Sequence, residues 1–115
     1  MSTAATRTLP AASPPASELR DTGGGRYCVE GTVTLDTVTS LRSAGLRAFE
    51  RAQGDIEVDL SGVGRTDSGA LALFVDWLAW AKTTGRALRF TSPPSALVAL
   101  ARLSDVEDLL LGKGA

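Results

Sequence analysis

The chain has 115 residues, 43% of them apolar and 22% charged, and 12 Lys and Arg against 13 Asp and Glu leave a net charge of -1. That is room for one domain with a modest core, and the composition excludes a disordered, fibrous or membrane-spanning chain and lacks the basic surplus of a nucleic-acid binder. No histidine is present, which excludes Ser-His-Asp, Cys-His and His-metal chemistry, and the single cysteine, Cys28, excludes an internal disulfide or a multi-thiolate metal site.

Residues 1–25 read as a disordered N-terminal tail and 26–112 as the folded domain. Ala, Ser, Thr and Pro dominate the tail, Pro14-Pro15 blocks helix, and Gly23-Gly24-Gly25 reads as a flexible joint. A first strand around residues 16–20 is an option within it. No stretch reaches the length of a membrane-spanning helix, and residues 1–17 lack the apolar run of a secretory signal, so the cytoplasm is the expected compartment.

Tyr27, Val29 and Val33 suit a strand interrupted at Gly31, and Cys28 within it reads as a buried structural thiol. Val38, Leu41, Leu46 and Phe49 recur at helical spacing, which predicts a helix over 35–53 capped by Asp36 or Thr37 and stopped by Gly54. Gly45 inside it weakens that prediction. Arg42, Arg47 and Arg51, interleaved with Asp36 and Glu50, read as a solvated helix face. In Asp55-Ile56-Glu57-Val58-Asp59-Leu60 the apolar residues alternate with acids, a strand with one covered face. Residues 61–65 read as a loop, and Asp67 or Ser68 as the cap of a helix over 69–84 that stops at Gly85. A strand over 87–91, a short helix over 96–103 opened by Pro93-Pro94, and a last helical turn capped by Ser104-Asp105 complete the chain. Helices alternating with strands favour parallel neighbours joined by right-handed crossovers, hence an α/β fold with a small, mostly parallel sheet.

Two features point to function. The first is Thr66-Asp67-Ser68-Gly69 at a helix start, where unpaired N–H groups and partial positive charge accumulate. A hydroxyl there can cap the helix, and a phosphate on Ser68 would be tolerated locally while its charge of about -1.5 to -2 repels an apolar partner. The second is the helix itself. Leu71, Phe74, Val75 and Leu78 form the core stripe, while Leu73, Trp77 and Trp80, with Ala70 at the edge, form a second stripe on nearly the opposite side. An outer face should be polar, so this stripe reads as a protein-docking hot spot. The competing reading is that the terminal helix or the N-terminal tail covers it.

Other chemistry fails on the residues. Gly62 and Gly64 lack the rest of a dinucleotide loop or a P-loop. Asp59 and Asp67 have no ligand cluster around them, and Ser68 has no histidine base, with Lys82 about four turns away along the helix. The sequence thus calls for no catalytic group, cofactor or metal.

The run from Val58 through Asp59-Leu60-Ser61 and Asp67-Ser68-Gly69 to Leu73, with Glu30-Gly31-Thr32-Val33 upstream, resembles the signature of the STAS family over about residues 27–110. Here the glycine follows the serine directly, where the family places one residue between them. The resemblance implies a single STAS domain with helices mainly on one face of the sheet. It also implies a non-catalytic subunit whose contact residues are Thr66, Asp67, Ser68, Gly69, Ala70, Leu73, Trp77 and Trp80. Two branches compete. Gly69-Ala70-Leu71-Ala72-Leu73, Ala81-Lys82, Gly85, Leu88-Arg89-Phe90 and Leu97 to Leu103 resemble the STAS subunit of the Mla phospholipid-transport ABC system, which binds a cytoplasmic ATPase. Ser68, where that subunit often carries threonine, keeps open the anti-sigma factor antagonist, which is released from a serine kinase by phosphorylation.

Overall fold

The computed structural model describes residues 17–112. Strand β1, Glu18–Gly23, turns back on β2, Arg26–Val33, as an antiparallel hairpin in which Gly23 pairs with Arg26. The two turn residues, Gly24 and Gly25, have φ of 65° and 81°. Positive φ at both positions gives the turn whose twist matches a two-residue hairpin, and only glycine adopts it without strain. Sequence reasoning placed this hairpin in a tail ending at 25, but the triglycine is its turn and the sheet begins at Glu18. Residues 1–16 of that tail lie outside the described residues.

The chain continues through helix α1, Val38–Arg51, strand β3, Ile56–Thr66, helix α2, Ser68–Thr84, strand β4, Leu88–Thr91, and helices α3, Ser95–Leu103, and α4, Glu107–Leu111. The sheet order is β1-β2-β3-β4, with β2, β3 and β4 parallel. Both crossovers, through α1 and α2, step in the same direction across the sheet. Right-handed connections that never reverse direction put every crossover helix on the same face. The expected α/β architecture with one-sided helices is therefore the one observed.

Alternation decides which side chains are covered. Tyr27, Val29 and Val33 of β2 and Ile56, Val58 and Leu60 of β3 are buried beneath the helices. Cys28 falls between Tyr27 and Val29 and so takes the other face, where it is half-buried; it is not the core thiol expected. That open face carries the ion pairs Arg20–Glu30 at 3.4 Å and Arg89–Glu57 at 2.7 Å, exposed contacts that solvent and salt screen. Residues 61–65, expected to be a loop, extend β3. Its register against β2 slips by one residue twice, at Glu30↔Gly62 and at Val33↔Thr66. The slips break the apolar alternation, moving the next buried residue after Leu60 to Val63.

α2 lies at the centre of the helical layer. Its neighbour α1 brings Phe49 edge-on to Trp77, with centroids 5.1 Å apart, and to Tyr27 at 5.3 Å. Gly45 of α1 makes this fit possible, because a Cβ there would stand 2.3 Å from Cζ2 of the Trp77 ring. Gly45→Ala should therefore destabilise, although alanine is the better helix former by about 1 kcal/mol. Overpacking against a rigid indole costs about 1–3 kcal/mol, and urea unfolding should show the midpoint falling.

Three carbonyls at and just beyond the end of α1 converge on one side chain. The Arg86 guanidinium donates to the carbonyls of Phe49 (3.2 Å), Ala52 (2.8 Å) and Gly54 (3.0 Å) and lies over the Trp80 ring at 5.9 Å. Charged donors to such carbonyls are among the stronger hydrogen bonds.

Burial and the nearby Asp21 charge push the Tyr27 phenol above its ordinary value, and its hydroxyl donates to the Ala48 carbonyl at 3.2 Å. A raised acid leaves stability intact below the ordinary tyrosine value of about 10 and removes it above, because the unfolded chain ionises first. Tyr27 is the only tyrosine. Tyrosinate absorbance should therefore appear above pH 10 together with the loss of near-ultraviolet circular dichroism.

Candidate functional site

The end of β3 delivers Thr66, Asp67 and Ser68 to the start of α2, beside the loop that joins β2 to α1. Asp67 caps α2: one carboxylate oxygen accepts the Gly69 N–H at 2.7 Å, and the other accepts the Leu35 N–H at 3.2 Å. The same side chain thus closes the helix and ties down the neighbouring loop. Ser68 is not the cap. It occupies the first helical position, and its side chain is exposed.

Gly69 explains why glycine follows the serine directly. A Cβ at this position would meet Leu35 Cδ2 at 2.9 Å and the Leu35 backbone nitrogen at 3.0 Å. The loop can press against α2 only where no side chain intervenes.

Leu35 itself was expected to open the first helix. Instead the Thr37 and Val38 N–H groups both bond to the Thr34 carbonyl, and the Thr37 hydroxyl accepts the Thr34 N–H and donates to the Thr32 carbonyl. This turn delays the helix to Val38 and leaves Leu35 projecting, 68% exposed. Between Leu35 and Val38 on one side and Gly69 and Ala72 on the other runs a shallow groove of about 440 Å³, with Leu73 on its floor. An ion pair between Arg42 of α1 and Asp76 of α2 lies along it. Side chains here are small or aliphatic, with one charged pair, so the groove can take an apolar segment of a partner but presents no catalytic constellation. Among the described residues no three His, Cys, Asp or Glu side chains gather as a metal cluster.

The predicted docking stripe does not survive. Ala70 and Trp77 are 0% exposed and Leu73 is 3% exposed, while Trp80 is half-buried, tilted on Phe49 at 5.8 Å. Among the described residues α1 covers the two tryptophans, with Gly45 and Phe49 against Trp77 and Phe49 against Trp80. A helix apolar all round is the mark of a central helix with neighbours on both flanks. Thr66 also withdraws as a surface contact, because its hydroxyl is buried without a partner opposite Val33. Of the predicted contact residues Gly69 and Leu73 line the groove, joined by Leu35, Val38 and Ala72, which periodicity alone did not single out, while Asp67 and Ser68 immediately precede Gly69 in the chain. The available signal was Leu35, a large apolar residue preceding an acidic turn.

Among the described residues no helix is long and apolar enough to cross a membrane. No curated protein matches the chain. Among solved structures, the anti-sigma factor antagonist SpoIIAA in its unphosphorylated form is similar in fold, with a TM-score of 0.65 at 14% identity, covering 87% of this chain and 89% of that one. The family model described as "Mlab, STAS domain" matches residues 25–112, almost all of the described residues, and the chain belongs to that STAS family.

Proposed function

We propose that this chain is a non-catalytic STAS subunit that docks through Ser68 and the adjoining groove at Gly69 onto the cytoplasmic ATPase of an Mla-type ABC phospholipid transporter and supports its activity. The observation that carries the reading is the exposed Leu35 beside small residues at the start of α2, an apolar anchor next to a groove open to a partner. The Mla-type family model supports the choice of partner. A second reading, an anti-sigma factor antagonist switched by a serine kinase, draws on Ser68. Its hydroxyl is exposed and is not used as the helix cap, so a phosphate could be added without breaking the cap made by Asp67.

Size-exclusion of the purified chain with the ATPase of an Mla-type transporter, and separately with a sigma-regulatory serine kinase and ATP, decides between them. Co-elution with the ATPase and a raised hydrolysis rate support the first reading. Phosphate on Ser68, located by mass spectrometry, supports the second. Under either reading Ser68→Asp should weaken docking, since a fixed carboxylate enters an apolar contact. A Ser68→Asp chain that binds both partners as wild type does sinks the assignment of this groove.

A further inference from the structure

A second groove, of about 450 Å³, runs along the outer edge of the sheet between β1 and α1, and it shares no residue with the groove at Ser68. Its floor is apolar, made by Leu19, Tyr27, Ala44 and Ala48, and the hairpin glycines close one end. β1 is the outermost strand on this side, so one row of its backbone N–H and C=O groups has no strand partner among the described residues.

On the helical rim stand Arg47 and Arg51, both exposed. None of the four ion pairs among the described residues uses either of them, whereas Arg42, the third arginine of the row, is held by Asp76. The lining holds one carboxylate, Asp21, already accepting the Gly23 N–H at 2.8 Å, and Glu50 of α1 lies outside it. Positive charge is therefore in excess here, in a chain whose net charge is -1. Arg51 lies in the last turn of α1, where it also offsets the helix's negative end. Arg47, one turn earlier, has no such part to play. Four residues of helix rise about 6 Å, close to the about 6.7 Å between alternate residues of a strand.

We propose that this groove accepts an extended acidic segment of a partner protein as a fifth strand along β1. Two carboxylates at alternate positions pair with Arg47 and Arg51, and a small aliphatic side chain on the same face rests against Leu19 and Ala44. Main-chain pairing supplies affinity and the alternate side chains supply selectivity.

The test is fluorescence anisotropy of the full chain with a labelled peptide, Val-Thr-Glu-Thr-Glu-Thr, and with its counterpart carrying lysine in place of glutamate. The acidic peptide should bind about tenfold or more tightly than the basic one, and less well as salt rises. Arg47→Glu combined with Arg51→Glu should reverse the preference. N-methylation of alternate peptide nitrogens should abolish binding, and Ser68→Asp should leave it unchanged, which separates this groove from the one at α2. Equal binding of the two peptides, or binding indifferent to the double substitution, overturns the proposal. So does a chain that ignores the peptide but uses these arginines to bind phosphatidylglycerol vesicles or to form a dimer. Both positions are exposed, and an unchanged thermal melt establishes that the doubly substituted chain is folded.

Discussion

Trp77→Ala should cost about 3–5 kcal/mol, the range for removing a fully buried large aromatic. Its indole packs on Phe49 of α1, with ring centroids 5.1 Å apart, and on Phe74 of its own helix at 5.6 Å, with Gly45 directly against the ring. The indole N–H points to the Arg42 carbonyl at 3.5 Å, at the outer limit of a hydrogen bond and a minor contributor. Most of the loss therefore comes from the cavity and the vanished aromatic contacts. A domain of this size has about 5–15 kcal/mol of total stability, so the urea midpoint should fall by about a fifth or more. The same experiment separates core from interface: were Trp77 a docking residue, its truncation would leave the melt unchanged and remove only binding.

Leu35→Ala should give the opposite pattern. With 68% of the residue exposed, truncation leaves the folded state within about 0.5 kcal/mol of wild type. In the complex, an apolar anchor beside a groove is worth about 2 kcal/mol or more, which is about a thirtyfold loss of affinity. Titration calorimetry against the partner, with a parallel thermal melt, reads both quantities. Unchanged affinity in Leu35→Ala would move the contact away from this rim. The backbone position of Leu35 is held by Asp67 and by the absence of a side chain at Gly69, so the truncation removes the side chain and not the loop geometry.

Much of the fold was legible because its signals are local. Ile56, Val58 and Leu60 alternate, Gly85 stops a helix, and the strand-helix order dictates parallel pairing, although the first helix ends at Arg51 with Ala52 as its cap, ahead of the Gly54 stop expected. What misled was tertiary. A second apolar stripe on α2 is compatible with either a partner or a neighbouring helix, and periodicity cannot tell which. The small residue that settles the matter, Gly45, lies on a different helix, and its effect on α1 propensity points the wrong way. A first strand over 16–20 was an option, but the turn was missed for a related reason: three glycines in a row look like a joint until both flanking strands are seen to pair. At the site, Asp67-Ser68-Gly69 was readable as a motif, but the division of labour within it was not. Which residue caps depends on backbone geometry, and the long reach from Asp67 to Leu35 crosses 32 positions of sequence.

Because the sheet order β1-β2-β3-β4 repeats the order of the chain, every strand pairs with the one made just before it. No strand has to wait for a later one to be inserted between it and its predecessor, as happens in sheets whose order reverses. The loops closed at each step are only as long as one hairpin or one crossover, which keeps the entropy cost of each step lower than in a sheet whose order reverses. The sheet can therefore grow in one direction as the polypeptide emerges during synthesis. The last strand, β4, pairs with only four residues of β3 and arrives after the rest of the sheet has a template to meet.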